Sequence, residues 1–216
     1  MDISRYGISL NRLTIDHIEM VRNWRNATKI SRFMFFRKHI TSAMQQKWFE
    51  SIDSHENFYF VISYQNESVG LIDIASINWD EGTAKAGLFI YEEKYWGTSV
   101  PVFSSLALLD VFFLVFGLKE ISAKVLGENQ AAIRYNQQLG FEINQEESDK
   151  DGFGMQLTKS NYLEKAKSLR CSAGKIKGSQ TVISITESNF TGIEIIREKL
   201  ESVDEETSTQ LSLTIK

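Results

Sequence analysis

The chain has 216 residues, 42% hydrophobic and 24% charged, with a net charge of −4, which suits one soluble domain of average size with an appendage, or two small ones. The acidic balance excludes a nucleic-acid binder that works through a broadly basic surface. One cysteine, Cys171, excludes an internal disulfide framework or a multi-cysteine zinc site, and His17, His39 and His55 match no metal-ligand spacing, so no metal is expected.

In chain order, residues 6–14 (YGISLNRLT) alternate apolar and polar and predict an edge strand. Residues 14–27 carry Ile15, Ile18, Met20, Val21 and Trp24 at helical spacing. Residues 29–40 (KISRFMFFRKHI) are aromatic and basic without clean periodicity, a loop or short helix. Residues 41–52 begin at an N-capping Thr41 or Ser42 and predict a helix burying Met44, Trp48 and Phe49. Residues 57–65, 67–78 and 84–93 read as an antiparallel meander turning at Asn66-Glu67 and at residues 78–83. Residues 100–118 form the most apolar run. It is near membrane-span length but contains Ser104, Ser105 and Asp110, so a buried helix is expected, with Pro101 in its first turn and Gly117 at its end. A strand at 120–126, a helix at 129–140 closed by Gly140, and a hairpin from 141 to 159 follow. The order predicts an α+β domain with a mixed, mostly antiparallel central sheet flanked by helices. It covers residues 1–163.

Residues 164–216 change character. A charged helix spans 162–171, 172–180 read as a linker, and 181–188, 191–203 and 208–216 predict strand, helix, strand. This extension is too short to bury much core alone. It is expected to pack on the main domain, join an edge strand, or mediate assembly. The N-terminus lacks the apolar core of a signal peptide, so a cytoplasmic protein is expected.

Two stretches carry chemistry. In residues 92–101 (EEKYWGTSVP), Gly97 permits close backbone approach, Thr98 and Ser99 offer hydroxyls at a helix start, and Lys94 adds positive charge. A diphosphate fits there; an ordinary capped strand–helix turn also fits. In residues 128–141 (ENQAAIRYNQQLGF), Asn129 and Asn136 lie two turns apart on nearly one helix face, with Tyr135 beside the second. They are either a cap and a surface residue, or two groups facing a ligand.

Together these stretches, within a chain portion running from about residue 8 to 162, resemble the GCN5-related N-acetyltransferases. The family's loop motif is Gln/Arg, two residues, Gly, one residue, Gly/Ala, and Lys94 to Ser99 stand in it. Its second motif is Asn, two residues, Ala, then a helix ending Gly-Phe, and Asn129, Ala132, Gly140 and Phe141 keep that spacing. Residues 20–35 and the WFESI of the next helix further resemble the branch of ribosomal-protein and amino-sugar acetyltransferases, nearest those acting on a nucleotide-linked deoxysugar of the pseudaminic acid pathway.

The resemblance implies acetyl-CoA as cofactor. Its pantetheine arm would pair with Leu88, Phe89 and Ile90 like an added strand. Lys94 and the amides from Trp96 through Gly97 and Thr98 to Ser99 would hold the diphosphate. Asn129 would face the arm and Ala132 would leave room for it. Where many members place a proton-donating Tyr, this chain has Asn136, with Tyr135 one residue earlier; an amide can donate a hydrogen bond to sulfur but gives up no proton at neutral pH. Where some relatives place a basic Glu, this chain has Lys85, so Asp73 or His39 are the candidate bases. Residues 25–39 are expected over the acceptor, with Phe33, Phe35 and Phe36 available to stack and Arg32, Arg37 and Lys38 to hold a phosphate; a partly buried loop with a solvated basic rim is the plainer alternative. The implied partner is a small-molecule amine, with neither nucleic acid nor membrane involved and a homodimer left open. A protein N-terminus as acceptor, or a weakly catalytic acyl-CoA-binding module, are the competing expectations.

Overall fold

The structure is a computed structural model and describes residues 1–185 and 193–216. Ten strands form one sheet in the order β10-β9-β1-β2-β3-β4-β5-β6-β8-β7. The strands are β1 (Asp2–Arg5), β2 (Ile8–Arg12), β3 (Phe58–Tyr64), β4 (Glu67–Asn78), β5 (Thr83–Ile90), β6 (Glu120–Leu126), β7 (Glu142–Asp149), β8 (Gly152–Thr158), β9 (Thr181–Ser184) and β10 (Leu213–Ile215). All neighbours are antiparallel except β5 with β6 and β9 with β10. The expected mixed, mostly antiparallel α+β architecture is therefore present.

Alternation sorts the meander's side chains onto two faces. Phe58, Phe60, Ile62, Ile72 and Ile74 are buried together with the apolar helix α4 (Ser99–Asp110). Val61 and Leu71 face the other way, into a smaller cluster with Val21 and Trp24 of α1 (Ile18–Asn26) and with Trp48 and Phe49 of α3 (Ser42–Ile52). A short helix, α2 (Thr28–Ser31), connects α1 to the loop before α3. Thr41 caps α3 by accepting the Met44 N–H. Met44 itself is exposed, and Gln45 takes the buried place expected of it, because α3 turns its i+1 position toward the sheet.

The apolar helix keeps its α form to Asp110, continues as one π-helical turn over Val111–Val115, and stops at Gly117 in the left-handed region. No helix among the described residues is long and apolar enough to cross a membrane. Next come α5 (Gln130–Leu139), ended by left-handed Gly140, then α6 (Lys159–Lys165) and α7 (Lys167–Lys177).

The C-terminal extension departs most from expectation. The boundary at 163/164 falls inside α6, and the linker expected at 172–180 is helical through Lys177. Strand β9 pairs with β1, and β10 with β9, so residues 6–14 do not form the edge: β2 lies between β1 and β3. The strand expected at 208–216 is shortened to β10, because Asp204 accepts the Thr207 N–H and starts α9 (Glu205–Leu211). The helix expected at 191–203 appears as α8 (Ile193–Glu201); its first two residues, and strand positions 186–188, lie outside the described residues.

A buried carboxylate locks this extension down. Asp110, at the α-to-π junction, accepts from Arg5 Nε (2.9 Å), Tyr6 Oη (2.8 Å), Tyr162 Oη (2.9 Å) and Arg170 Nε (2.6 Å). Arg5 also donates to Ser179 O and Thr181 Oγ1. One acid thus gathers β1, α4, α6 and α7, and through Arg5 the start of β9.

Candidate active site

The site begins where two strands part. The parallel β5–β6 ladder has only three rungs, Thr83↔Glu120, Ala84↔Ile121 and Lys85↔Ser122. Beyond them β5 stays with β4 as far as Ile90, and β6 stays with β8 as far as Leu126. A wedge opens between them, and backbone groups on the gap side of β5 lose their ladder.

Backbone groups alternate sides along a strand. Ala84 O accepts from Ser122 Oγ across β6, and Ile90 O accepts from the Trp96 indole at 2.8 Å, whereas Tyr91 N–H donates to Val69 beside β4. The even residues therefore turn their backbone to the gap. Past the last β5–β6 rung the Leu88 N–H and C=O and the Ile90 N–H have no ladder partner there among the described residues. Phe89 differs from the expectation made for all three: its backbone faces β4, and its ring packs edge-on to Trp24 at 6.3 Å.

The loop at the top of β5 runs into α4. Thr98 donates to Tyr95 O (2.7 Å) and accepts from Val100 N–H, an N-cap that fixes the turn. Gly97 has φ +72°, and a Cβ placed there would meet nothing within 4 Å. The first helical amides, Ser99 among them, have no partner within the helix and point outward. Lys94 is not free in this conformation: it pairs with Glu67 (2.6 Å), which also receives Tyr95 Oη. Lys29 lies 3.6 Å from Glu93 and 3.9 Å over the Tyr91 ring.

Helix α5 forms the far wall. Asn129 Oδ1 caps it through the Ala132 N–H at 3.1 Å, leaving the Nδ2 amide without a partner among the described residues. Cap and ligand contact are thus compatible in one side chain. Asn136 donates from Nδ2 to Met155 Sδ at 3.6 Å, and one N–H remains. Tyr135 donates to Pro101 O at 2.9 Å and shares a 2.6 Å contact with Ser105 Oγ. Burial holds its phenol above the ordinary tyrosine range. The hydroxyl therefore ties α5 to the first turn of α4 and has no spare proton to offer.

The opposite face of the wedge carries Asp73. It lies between Tyr59 of β3 and Gly87 of β5 in the ladders, one residue from Leu88. Its carboxyl is only partly exposed, and burial pushes it from 3.8 up to about 7, against the opposing charge of Arg25. Arg25 Nε is buried with no hydrogen-bond partner. Burial lowers the Arg25 guanidinium, with Asp73 and Tyr59 opposing. Burial, then Asp73, raises the Tyr59 phenol.

Residues 32–41 bridge the two arms. Arg37 Nη2 pairs with Glu128 Oε1 at 2.7 Å, just before Asn129. Phe35 lies against Gly152 and 5.5 Å from Lys124 Nζ, which pairs with Asp149. Arg32 lies over the Phe33 ring at 4.5 Å. Phe33, Phe35 and Phe36 are all substantially exposed, as are Lys38 and His39. His39 lies in the roof, well apart in sequence from the β4–β5 ladder that carries Asp73. Arg25, Gly87 and Glu128 were not anticipated; a glycine inside a strand was the one available signal, marking close approach at Gly87.

The residues fit a pantetheine-diphosphate group on four counts: an unpaired strand edge, open space at Gly97, outward amides at the α4 start, and a spare amide at Asn129. A family model for the acetyltransferase (GNAT) domain matches residues 8–142. Among solved structures, spermidine N-acetyltransferase from Vibrio cholerae in complex with CoA and spermine is similar at 20% identity and a TM-score of 0.65, covering 73% of this chain and 99% of that one. A domain from Methanocaldococcus jannaschii gives 19% identity and a TM-score of 0.61, with 70% and 97% covered. A putative acetyltransferase gives 15% identity and 0.64, with 82% and 96% covered. No curated protein gives a significant match. The structural likenesses speak to the fold, and the family model covers well over half of the chain: it belongs to the GNAT acetyltransferase family, acetyl-CoA-dependent N-acetyltransferases.

Proposed function

We propose that this enzyme acetylates the primary amine of a small acceptor carrying an anionic group, and that a nucleotide-linked amino sugar is the acceptor its roof fits best. The observation that carries this reading is the roof's charge. Residues 25–39 contain Arg25, Lys29, Arg32, Arg37 and Lys38 and no acidic residue. Exposed Phe33 and Phe36 lie among them as stacking surfaces. Lys29 and Arg37 face Glu93 and Glu128, so a polycation such as the spermine bound by the Vibrio cholerae enzyme would meet repulsion here from exposed Arg32 and Lys38. A protein N-terminus needs an open groove, and the Arg37–Glu128 pair with Phe35 against Gly152 spans that place. The amino-sugar branch of the family fits these features better than the ribosomal-protein branch.

Bound acetyl-CoA supplies the acetyl thioester. In our reading Leu88 and Ile90 offer N–H donors along the gap, and the α4 start with Gly97, Thr98 and Ser99 receives the diphosphate. Trp96 closes the loop from behind, and Lys94 serves the diphosphate only by leaving Glu67. An alkyl ammonium must lose a proton before it can attack, and Asp73, near neutrality, is the base that takes it. Asn136 offers a hydrogen bond to sulfur, as it already does to Met155. Tyr135 holds α5 in place. A cytoplasmic location suits the single unpaired Cys171. A homodimer through one of the open edges, β7 or β10, completes the reading.

The test is a CoA-thiol release assay with acetyl-CoA against three acceptors: a nucleotide-linked amino sugar, spermidine and an unblocked peptide. Turnover of the first above the other two is expected. Preference for spermidine would overturn the charge argument while leaving the acetyltransferase assignment intact.

A further inference from the structure

We propose that Arg25 is a positioning residue for the Asp73 carboxylate and that Gly87 supplies the slot in which that carboxylate rests. The inference builds on the reading of Asp73 as the base. Three observations converge on it. First, a Cβ at Gly87 would lie 2.6 Å from Asp73 Oδ1 and 3.2 Å from both Cγ and Oδ2. The carboxylate therefore occupies the volume of the missing side chain, and any residue but glycine would push it out. Second, Arg25 reaches the same place from α1 with its Nε buried and unpartnered. An Nε that gave up water and gained no hydrogen bond adds little to stability. Its position is explained by its charge, which acts on Asp73 and Tyr59 without bonding to either. Third, the facing set is small. Among the described residues the ionisable groups around Asp73 are Arg25 on α1 and Tyr59 on β3, while α3 contributes Trp48, edge-on to Tyr59 at 5.1 Å.

The consequence follows from the sign of the charge. Burial favours the neutral acid, and Arg25 favours the carboxylate. Without Arg25 the acid would hold its proton to higher pH and accept one from an ammonium group less readily at neutrality. With it, Asp73 changes state close to neutrality. Arg25 acts only through Asp73.

The experiment is a carboxyl ¹³C NMR titration of the intact protein labelled at aspartate, with no acceptor present. The Asp73 signal is assigned by its loss in Asp73→Asn. The wild type should titrate near 7, and Arg25→Met should move the midpoint up by roughly one pH unit or more. Arg25→Lys should return it most of the way. Gly87→Ala should shift it again, since the carboxylate is displaced. Thermal melts should show Arg25→Met no less stable than wild type. An unmoved midpoint in Arg25→Met, or equal shifts for Arg25→Lys and Arg25→Met, would overturn the role of Arg25. A wild-type midpoint near the ordinary aspartate value would instead overturn Asp73 as the base, so the two failures are distinguishable.

Discussion

Asp110→Asn gives the sharpest test of how the C-terminal extension is held. The carboxylate is fully buried and accepts four charge-assisted or phenolic hydrogen bonds, two of them from Arg5 and Arg170. Asparagine keeps the shape but removes the charge and one acceptor oxygen. Arg5, only 4% exposed, is then a buried cation without a counter-ion. Breaking a buried pair in this way costs about 3–5 kcal/mol. Each kcal/mol lowers Tm by roughly 2–4 °C in a chain of this length, so a drop of roughly 6–20 °C is expected by circular dichroism. Amide exchange in β9 should accelerate with it, because Arg5 also holds Ser179 and Thr181. A control at the exposed Lys165–Glu164 pair, Lys165→Met, should stay within about 1 kcal/mol. An Asp110→Asn shift no larger than the control's would show that the four contacts are not what fastens the extension.

Three further predictions concern the site. Asn129→Ala should lose about 1 kcal/mol of stability with the cap and raise KM for acetyl-CoA; Asn129→Asp should keep the cap and lose only the amide, so an unchanged KM in the Asp variant removes Asn129 from the cofactor contacts. Tyr135→Phe should lower stability by about 1 kcal/mol with kcat nearly unchanged, whereas Asn136→Ala should lower kcat several-fold; the reverse pattern would restore Tyr135 as a proton donor. Gly97→Ala meets no steric neighbour but strains a positive φ by about 1–2 kcal/mol; weaker acetyl-CoA binding in isothermal titration is expected, and unchanged affinity would place the diphosphate elsewhere.

Local codes carried most of what the sequence revealed. The Thr98 cap, the left-handed Gly117 and Gly140, and the alternation in the meander are decided within a few residues, and the structure has them where the pattern put them. The resemblance to the family's motifs marks Gly97, Asn129 and Ala132 as cofactor contacts, where the residues alone leave a cap or an ordinary turn equally open. What was not legible depends on partners distant in sequence. Residues 6–14 look like an edge strand until β9, some 170 residues later, pairs with β1. Asp110 reads as an oddity in an apolar helix until Arg5 and Arg170 arrive. Tyr135 reads as a proton donor until its hydroxyl is found donating a hydrogen bond to Pro101 O. Arg25 is one more charge on an amphipathic helix until the sheet sets Asp73 and Gly87 beneath it.

The most direct measurement is the ratio of kcat/KM for a nucleotide-linked amino sugar over spermidine, taken for the wild type and for an Arg32→Glu/Lys38→Glu variant at low ionic strength. Both residues are exposed and form no ion pair with any described residue, whereas Lys29 and Arg37 already face Glu93 and Glu128, so reversing Arg32 and Lys38 removes four units of positive charge from the cations left free in residues 25–39. The wild type should favour the anionic acceptor, and the variant should lose at least tenfold of that ratio while binding acetyl-CoA as before. A wild-type preference for spermidine, or a ratio untouched by the reversal, would contradict the proposal that the basic roof selects the acceptor.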